Sequence, residues 1–335
     1  MRFGISLPHY DFSFPDRRRV TFEDVADFAR DAERLGFDSI WISDHFFLSL
    51  ARYGAGDEMH GSLEPMTTLA ALSQRTGRVR LGTLVACAPF RHPGILAKQA
   101  TALDLWSGGR VDLGIGAGWY EDEFTGFGYP FGSTRDRFAI LEETLQVLRG
   151  LFGEGPVEHD GERFHLHGAY NHPAPAQRPG PPIWLGAKGG DRSLVLAARY
   201  CDGWNTVWRW RPDAYEERVR AAGRICEAAD RDPSTLRLSV GLYTLIGEDD
   251  RDLERRYEAL QGWTPGGSLD GQSLDEFSDG ALAGTPERIL ARVQDFEALG
   301  VEELIVSPAS LPFAFFDRSM IDLFAESVVA HRRAA

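Results

Sequence analysis

Asp44 and His45 carry the first candidate chemistry in the chain. Histidine titrates near neutral pH and can pass a proton, and the run IWISDHFF sets the pair straight after a short apolar segment that reads as a buried strand. At a strand end the imidazole would face a cavity; the alternative is a histidine held by a local hydrogen bond. The second candidate is Gly186-Ala187-Lys188-Gly189-Gly190, a turn between a strand and a helix. Free backbone N–H groups and the positive end of a helix dipole suit a phosphate there. Lys188 would add a charge and Ser193, one turn on, a hydroxyl donor; the alternative is a plain tight turn. The third, Glu121-Asp122-Glu123, has the oxygen ligands for a hard metal but reads as the acidic, solvated start of a helix. His60 and Glu64, four apart, have no obvious third ligand, so no metal is expected. Aromatic residues gather near the same strand ends: Phe46, Phe47, Phe90, Trp119, Tyr120, Trp204, Trp208 and Trp210. Phosphate turn, aromatic mouth and one histidine together suit a flavin-like cofactor.

The elements that must position these groups alternate from end to end. Strands are expected at 2–7, 38–42, 79–85, 111–116, 183–186, 203–206, 236–246 and 303–307. Helices follow at about 22–35, 65–76, 94–106, 134–152, 190–200, 212–229, from 285 and 318–330. Thr21 with Asp24 marks a capping box, and Gly36 a helix stop. The basic run Arg17-Arg18-Arg19 reads as a solvated loop, and about seventeen residues after the second strand read as a long loop. Eight strand–helix units make a (β/α)8 TIM barrel the economical topology, a single domain over 1–335. It carries an insertion at about 153–182 after strand four and an excursion at about 262–284 after strand seven. In such barrels the active site lies where the strands end. The fourth strand breaks at Gly116-Ala117-Gly118, where missing Cβ atoms would let a flat ligand or a backbone come close.

Totals narrow the partners. Asp and Glu outnumber Lys and Arg 50 to 36, a net charge of −14, which argues against nucleic acid or an anionic membrane. Cys87, Cys201 and Cys226 have no CxxC spacing and fit a reducing compartment without a zinc site. The opening MRFGISLPHY reads as a strand rather than a signal peptide, and no apolar run approaches a membrane span. The expectation is a cytoplasmic protein acting on a small molecule.

Three stretches taken together are more specific than any single one. IWISDHFF, VRLGTLVACAPFRHPGILAKQATALDLWSGGRVDLGIGAGWYEDEF and PPIWLGAKGGDRSLVLAARYCDGWN resemble the bacterial luciferase-like monooxygenase superfamily, in particular its branch of F420-dependent oxidoreductases. The resemblance implies the barrel, an insertion after strand four and a homodimer. It also implies that His45 sits beside a deazaflavin ring, with Asp44 next to it, and that a non-prolyl cis peptide at Leu84-Val85 lies behind the ring. Ala117 and Gly118 would help seat the cofactor, and the turn Gly186-Ala187-Lys188-Gly189-Gly190 would hold its phosphate. Phe46, Phe47, Trp119 and Tyr120 would wall the substrate side.

Two departures carry information. FMN-using alkanal luciferases have an Arg where this chain has Ala117, and the sugar-phosphate dehydrogenases of the F420 branch have a catalytic Glu where it has Trp119. The resemblance therefore implies coenzyme F420 rather than FMN, and it does not carry over sugar-phosphate oxidation. The expected activity is hydride transfer between C5 of the deazaflavin and a small organic substrate, with His45 handling the proton. The alternatives are an FMN-dependent monooxygenase of the same fold, fed by a partner reductase, and a barrel that binds flavin without catalysis.

Overall fold

A computed structural model describes residues 1–16 and 19–334; Arg17 and Arg18 of the basic run lie outside the described residues. Eight strands make one parallel sheet: β1 (Arg2–Ser6), β2 (Ser39–Ile42), β3 (Arg80–Thr83), β4 (Val111–Gly116), β5 (Ile183–Gly186), β6 (Gly203–Trp208), β7 (Arg237–Ile246) and β8 (Val301–Ser307). Each pairs with the next in sequence, and β8 pairs back with β1, with Phe3 opposite Leu304. The sheet is thus closed, and with helices between its strands it is a (β/α)8 barrel. Covered on both faces, the strands lose the polar–apolar alternation of a half-exposed sheet: all six residues of β4 are buried.

The helices begin and end where their caps dictate. Helix α1 (Phe22–Leu35) opens on the Thr21–Asp24 capping box and stops at Gly36, whose φ of 95° is left-handed. Helices α2 (Pro65–Ser73) and α3 (Pro93–Ser107) begin on a proline, which lacks the N–H that a first helical residue cannot pair anyway. Helix α4 is Thr134–Phe152, α5 is Asp191–Tyr200 and α6 is Pro212–Ala228.

Inside the barrel, two indoles meet edge to face. Trp41 of β2 and Trp184 of β5 have ring centroids 6.5 Å apart. Glycines make room for them: a Cβ on Gly82 would fall 2.2 Å from the Trp41 ring, and one on Gly203 2.3 Å from the Trp184 ring. Each indole N–H reaches a buried carboxylate towards the strands' N-terminal ends. Trp41 Nε1 donates to Glu303 at 3.1 Å and Trp184 Nε1 to Asp112 at 3.1 Å. Arg2 pairs with Glu303 at 2.8 Å, and Arg80 with Asp112 at 2.5 Å. Burial pushes the Glu303 carboxyl above the usual carboxylate range, against the pull of Arg2.

At the other end the connections differ from the expected ones. The loop after β2 contains a hairpin, Phe47–Ser49 against Met59–Gly61. β3 stops at Thr83, two residues short of expectation. The Leu84-Val85 peptide is cis, and pairing with β4 resumes at Ala86 and Cys87. The insertion after β4 forms a hairpin, Val157–Asp160 with His165–Ala169. The excursion after β7 holds the helices Asp250–Trp263 and Leu274–Ser278, then a strand, Leu282–Gly284, that extends the sheet beside β7. The C-terminal helix is interrupted by a π-helical turn, Ala325–Val329. The tip of the hairpin after β2 touches the excursion directly. A Cβ on Gly266 would lie 2.7 Å from the Ala55 backbone. Two long connections thereby roof the same end of the barrel.

Candidate active site

Under that roof, at the C-terminal ends of the strands, lies a cavity of about 960 Å³. Of the residues expected there, Asp44, His45, Leu84, Val85 and Ala117 line it, as do Gly118, Trp119, Gly186, Ala187 and Lys188. Phe46, Phe47, Tyr120, Gly189 and Gly190 do not. Phe46 stacks between Phe90 and Phe127, at 4.4 and 4.1 Å, and Phe47 packs edge-on against Tyr120 at 6.1 Å. These rings pack on one another beside the cavity rather than into it, with Phe127 exposed and Phe46, Phe47 and Tyr120 half-buried. Three other rings line the cavity instead, from the end of β6, from β7 and from the loop after β8: Trp208 stacks on Tyr243 at 5.5 Å and meets the edge of Phe313 at 5.1 Å.

His45 is fixed from three sides. Its Nδ1 lies 2.7 Å from Glu123 Oε2, its carbonyl accepts from the Ser62 hydroxyl, and Trp119 meets its ring at 5.6 Å. Glu123 is the residue the sequence reading missed. The acidic run was read as solvated, yet Glu123 is buried, and its Oε1 accepts the backbone N–H groups of Phe46 at 2.6 Å and Phe47 at 3.3 Å. The short helix Glu121–Gly126 separates the three carboxylates around its axis, which turns Glu121 and Asp122 outward and Glu123 inward. A carboxylate accepts only, so it takes the Nδ1–H of His45, and the neutral form of the ring then carries its lone pair on Nε2.

Asp44 faces the other way. Its Oδ2 accepts the Cys87 N–H at 2.8 Å, and Arg91 clamps both carboxylate oxygens. It ties β2 to the segment after the cis peptide and is a positioning group. Arg91 also meets Glu64 at 3.1 Å, and Glu64 caps α2 through the Thr67 N–H. His60 packs edge-on against Phe12. No cluster of three metal-ligating side chains occurs among the described residues.

The glycines at the end of β4 admit protein rather than ligand. A Cβ on Gly114 would collide with the Thr83 carbonyl at 2.0 Å, and Cβ atoms on Gly116 and Gly186 would meet the Val85 methyls at 2.8 and 2.5 Å. The side chain of Val85 is sunk between β4 and β5 by these three absences of a Cβ. Its bulge forms the cavity floor.

The turn after β5 is held from below. Ala187 N–H donates to Asn205 at 3.0 Å, and Trp204 Nε1 to the Ala187 carbonyl at 2.9 Å. Gly189 takes a left-handed φ of 77°. Helix α5 then starts with no side-chain cap, so its first N–H groups stay open, and the space where a Cβ of Gly190 would point is empty. Ser193 is not the free donor expected, since its hydroxyl already donates to the Gly190 carbonyl at 2.6 Å. The Lys188 ammonium donates to the Val207 carbonyl and is held below the ordinary lysine range by desolvation, with Arg52 adding to the effect. Beneath the cavity runs a buried chain: Tyr10 hydroxyl to Ser43 Oγ at 2.6 Å, Ser43 to His9 Nε2 at 3.0 Å, and His9 Nδ1 to the Leu7 carbonyl at 2.8 Å. The carbonyl can only accept, so the chain runs one way: His9 donates from Nδ1, Ser43 donates to Nε2 and Tyr10 donates to Ser43.

With this geometry in place, the comparisons with known proteins fall into line. Residues 1–303 match the family described as luciferase-like monooxygenase. The F420-dependent hydroxymycolic acid dehydrogenase of Mycobacterium tuberculosis is 29% identical over 315 residues, covering 91% of this chain and 83% of that protein. The F420-dependent glucose-6-phosphate dehydrogenase of Kineococcus radiotolerans is 32% identical over 72% of this chain and 68% of its own. The crystal structure of a monooxygenase from Streptomyces bottropensis superposes with a TM-score of 0.76 at 26% identity, covering 99% of this chain and all of that one.

Proposed function

The chain belongs to the luciferase-like monooxygenase family, and from that premise we propose that it is an F420-dependent oxidoreductase moving a hydride between the cofactor and a small organic substrate. The observation that carries the proposal is His45: buried on one side against Glu123, open on the other to a cavity large enough for a tricyclic ring. The site fits the cofactor at both ends. Val85 and the small residues Ala117 and Gly118 leave a floor for the ring, and the uncapped start of α5 offers N–H groups to a phosphate. When bound, the deazaflavin supplies a carbon that takes up or gives back a hydride.

The protein's own part is proton handling. In oxidation of an alcohol, the lone pair on His45 Nε2 takes the hydroxyl proton; in reduction, the imidazolium returns it. Glu123 fixes the tautomer and stabilises the positive charge that forms. Trp119, edge-on to the imidazole at 5.6 Å, helps hold the ring in place and leaves Nε2 to the cavity. Under this reading the protein works in the cytoplasm as a homodimer, and a separate reductase supplies reduced cofactor where reduction is the physiological direction.

The test is a paired titration with F420 and FMN. Micromolar F420 binding with no measurable FMN binding supports the proposal. The reverse result, with oxygen consumption, replaces it with an FMN-dependent monooxygenase. His45→Ala separates both from a non-catalytic flavin binder: turnover that survives this substitution removes His45 from the chemistry.

A further inference from the structure

The cavity is lined by an exposed cation that, among the described residues, no carboxylate neutralises. Its acidic side chains are all engaged. Asp44 is clamped by Arg91, and Glu123 by His45 and two backbone N–H groups. Glu276 caps the helix Leu274–Ser278 through Ser273, and Asp279 lies 3.9 Å from Arg211. Two of its cations are engaged as well. Lys188 donates to the Val207 carbonyl, and Arg209 donates to the Phe277 carbonyl at 2.8 Å while lying over the Phe277 ring.

Arg52 is different. It stands on the single helical turn Leu50–Tyr53 at the tip of the hairpin after β2 and lines the cavity. Its guanidinium lies 4.3 Å over the Trp119 ring, and among the described residues it meets no carboxylate within 4 Å. Stacking on an indole fixes the plane of a guanidinium and leaves its edge N–H groups free. Trp119 also meets its neighbour Tyr120 at 5.3 Å and, on the catalytic side, the His45 ring at 5.6 Å. Guanidinium and imidazole therefore contact the same indole, which places the anion-binding group one indole away from the proton-transfer group. Tyr53, next in sequence, lines the same wall, and burial pushes its hydroxyl up to about 12, so it stays a neutral donor. A protein of net charge −14 gives an anion no long-range attraction, so an anionic substrate requires a local cation of this kind.

We propose that the substrate carries a carboxylate, and that Arg52, held by Trp119 and flanked by Tyr53, selects it. The proposal rests on the reading of this cavity as the substrate site of the oxidoreductase.

The test is calorimetric titration of the F420-loaded protein with matched pairs, benzoate against benzamide and hexanoate against hexanamide. The wild type is expected to bind each acid about tenfold or more tighter than its amide, a difference of about 1.4 kcal/mol. Arg52→Gln should abolish that preference, and Arg52→Lys should restore part of it, with F420 affinity unchanged. The proposal is overturned if Arg52→Gln keeps the preference or if the wild type shows none. It is also overturned if Arg52→Gln weakens F420 binding instead, which would make Arg52 a cofactor residue. If the protein binds no F420, the same pairs are titrated into cofactor-free protein: an Arg52-dependent preference there upholds the carboxylate site while the F420 reading fails.

Discussion

Glu123 Oε2 sits 2.7 Å from His45 Nδ1, although the two residues are 78 apart in the chain. The contact joins the loop after β2 to the short helix after β4. It gives the His45 imidazole, the proton-transfer group under the proposed function, a buried carboxylate partner, and the same carboxylate anchors the backbone at Phe46 and Phe47.

Glu123→Gln keeps an oxygen for those backbone donors and removes the charge. Turnover should fall by about 10²-fold, within the range a positioned acid–base group supplies, while cofactor affinity and the thermal midpoint change little. Steady-state kinetics beside a cofactor titration reads both, and unaltered turnover would make the contact purely structural.

Val85 and Gly186 should behave as one unit, since a Cβ on Gly186 would lie 2.5 Å from a Val85 methyl. Gly186→Ala alone should cost about 1–3 kcal/mol by overpacking. Combined with Val85→Ala, much of that cost should disappear, leaving a coupling energy above about 0.5 kcal/mol. Urea denaturation of the four proteins of the cycle measures it; strict additivity would mean that the bulge relaxes freely.

His9 gives a pH dependence with a definite sign. Burial lowers its pKa from 6.5 to about 3, opposed by the hydrogen bond to Leu7. The unfolded chain therefore takes up a proton that the folded protein refuses. The associated stability is complete above about pH 6.5 and drains away as pH falls towards 3, approaching 1.4 kcal/mol per pH unit below pH 6. The window from pH 6.5 to 5 precedes most carboxylate titration. His9→Asn, which can still donate to Leu7, should flatten the stability curve there, as read by denaturant midpoints at half-unit steps. An identical slope in both proteins would contradict a buried neutral His9.

The barrel and its strand ends were legible because their signals are local: buried runs, caps and glycine stops recur with a fixed period. Helix α1 has the expected bounds because Thr21, Asp24 and Gly36 write both of its ends into adjacent residues. The direction of a side chain in a connection is a tertiary property, and there the reading failed. Nothing local distinguishes Glu123 from Glu121 or Asp122, and only the placement of a six-residue helix decides which carboxylate turns inward. Phe46 and Phe47 adjoin His45 in sequence yet pack beside the cavity, whereas Trp208 of β6, Tyr243 of β7 and Phe313 of the loop after β8, far apart in the chain, line it together. The glycines of β4 were correctly read as points of close approach; that the approaching group is Val85 depends on a bulge in the neighbouring strand.

The crossed indoles of Trp41 and Trp184 divide the barrel into two storeys. The buried ion pairs of Glu303 and Asp112 lie in the lower one and the cavity in the upper. Such a partition insulates the scaffold from its chemistry. Loops above it can be exchanged, and substrates changed with them, without disturbing the charges below, so a graft of new upper connections should inherit the stability of its host.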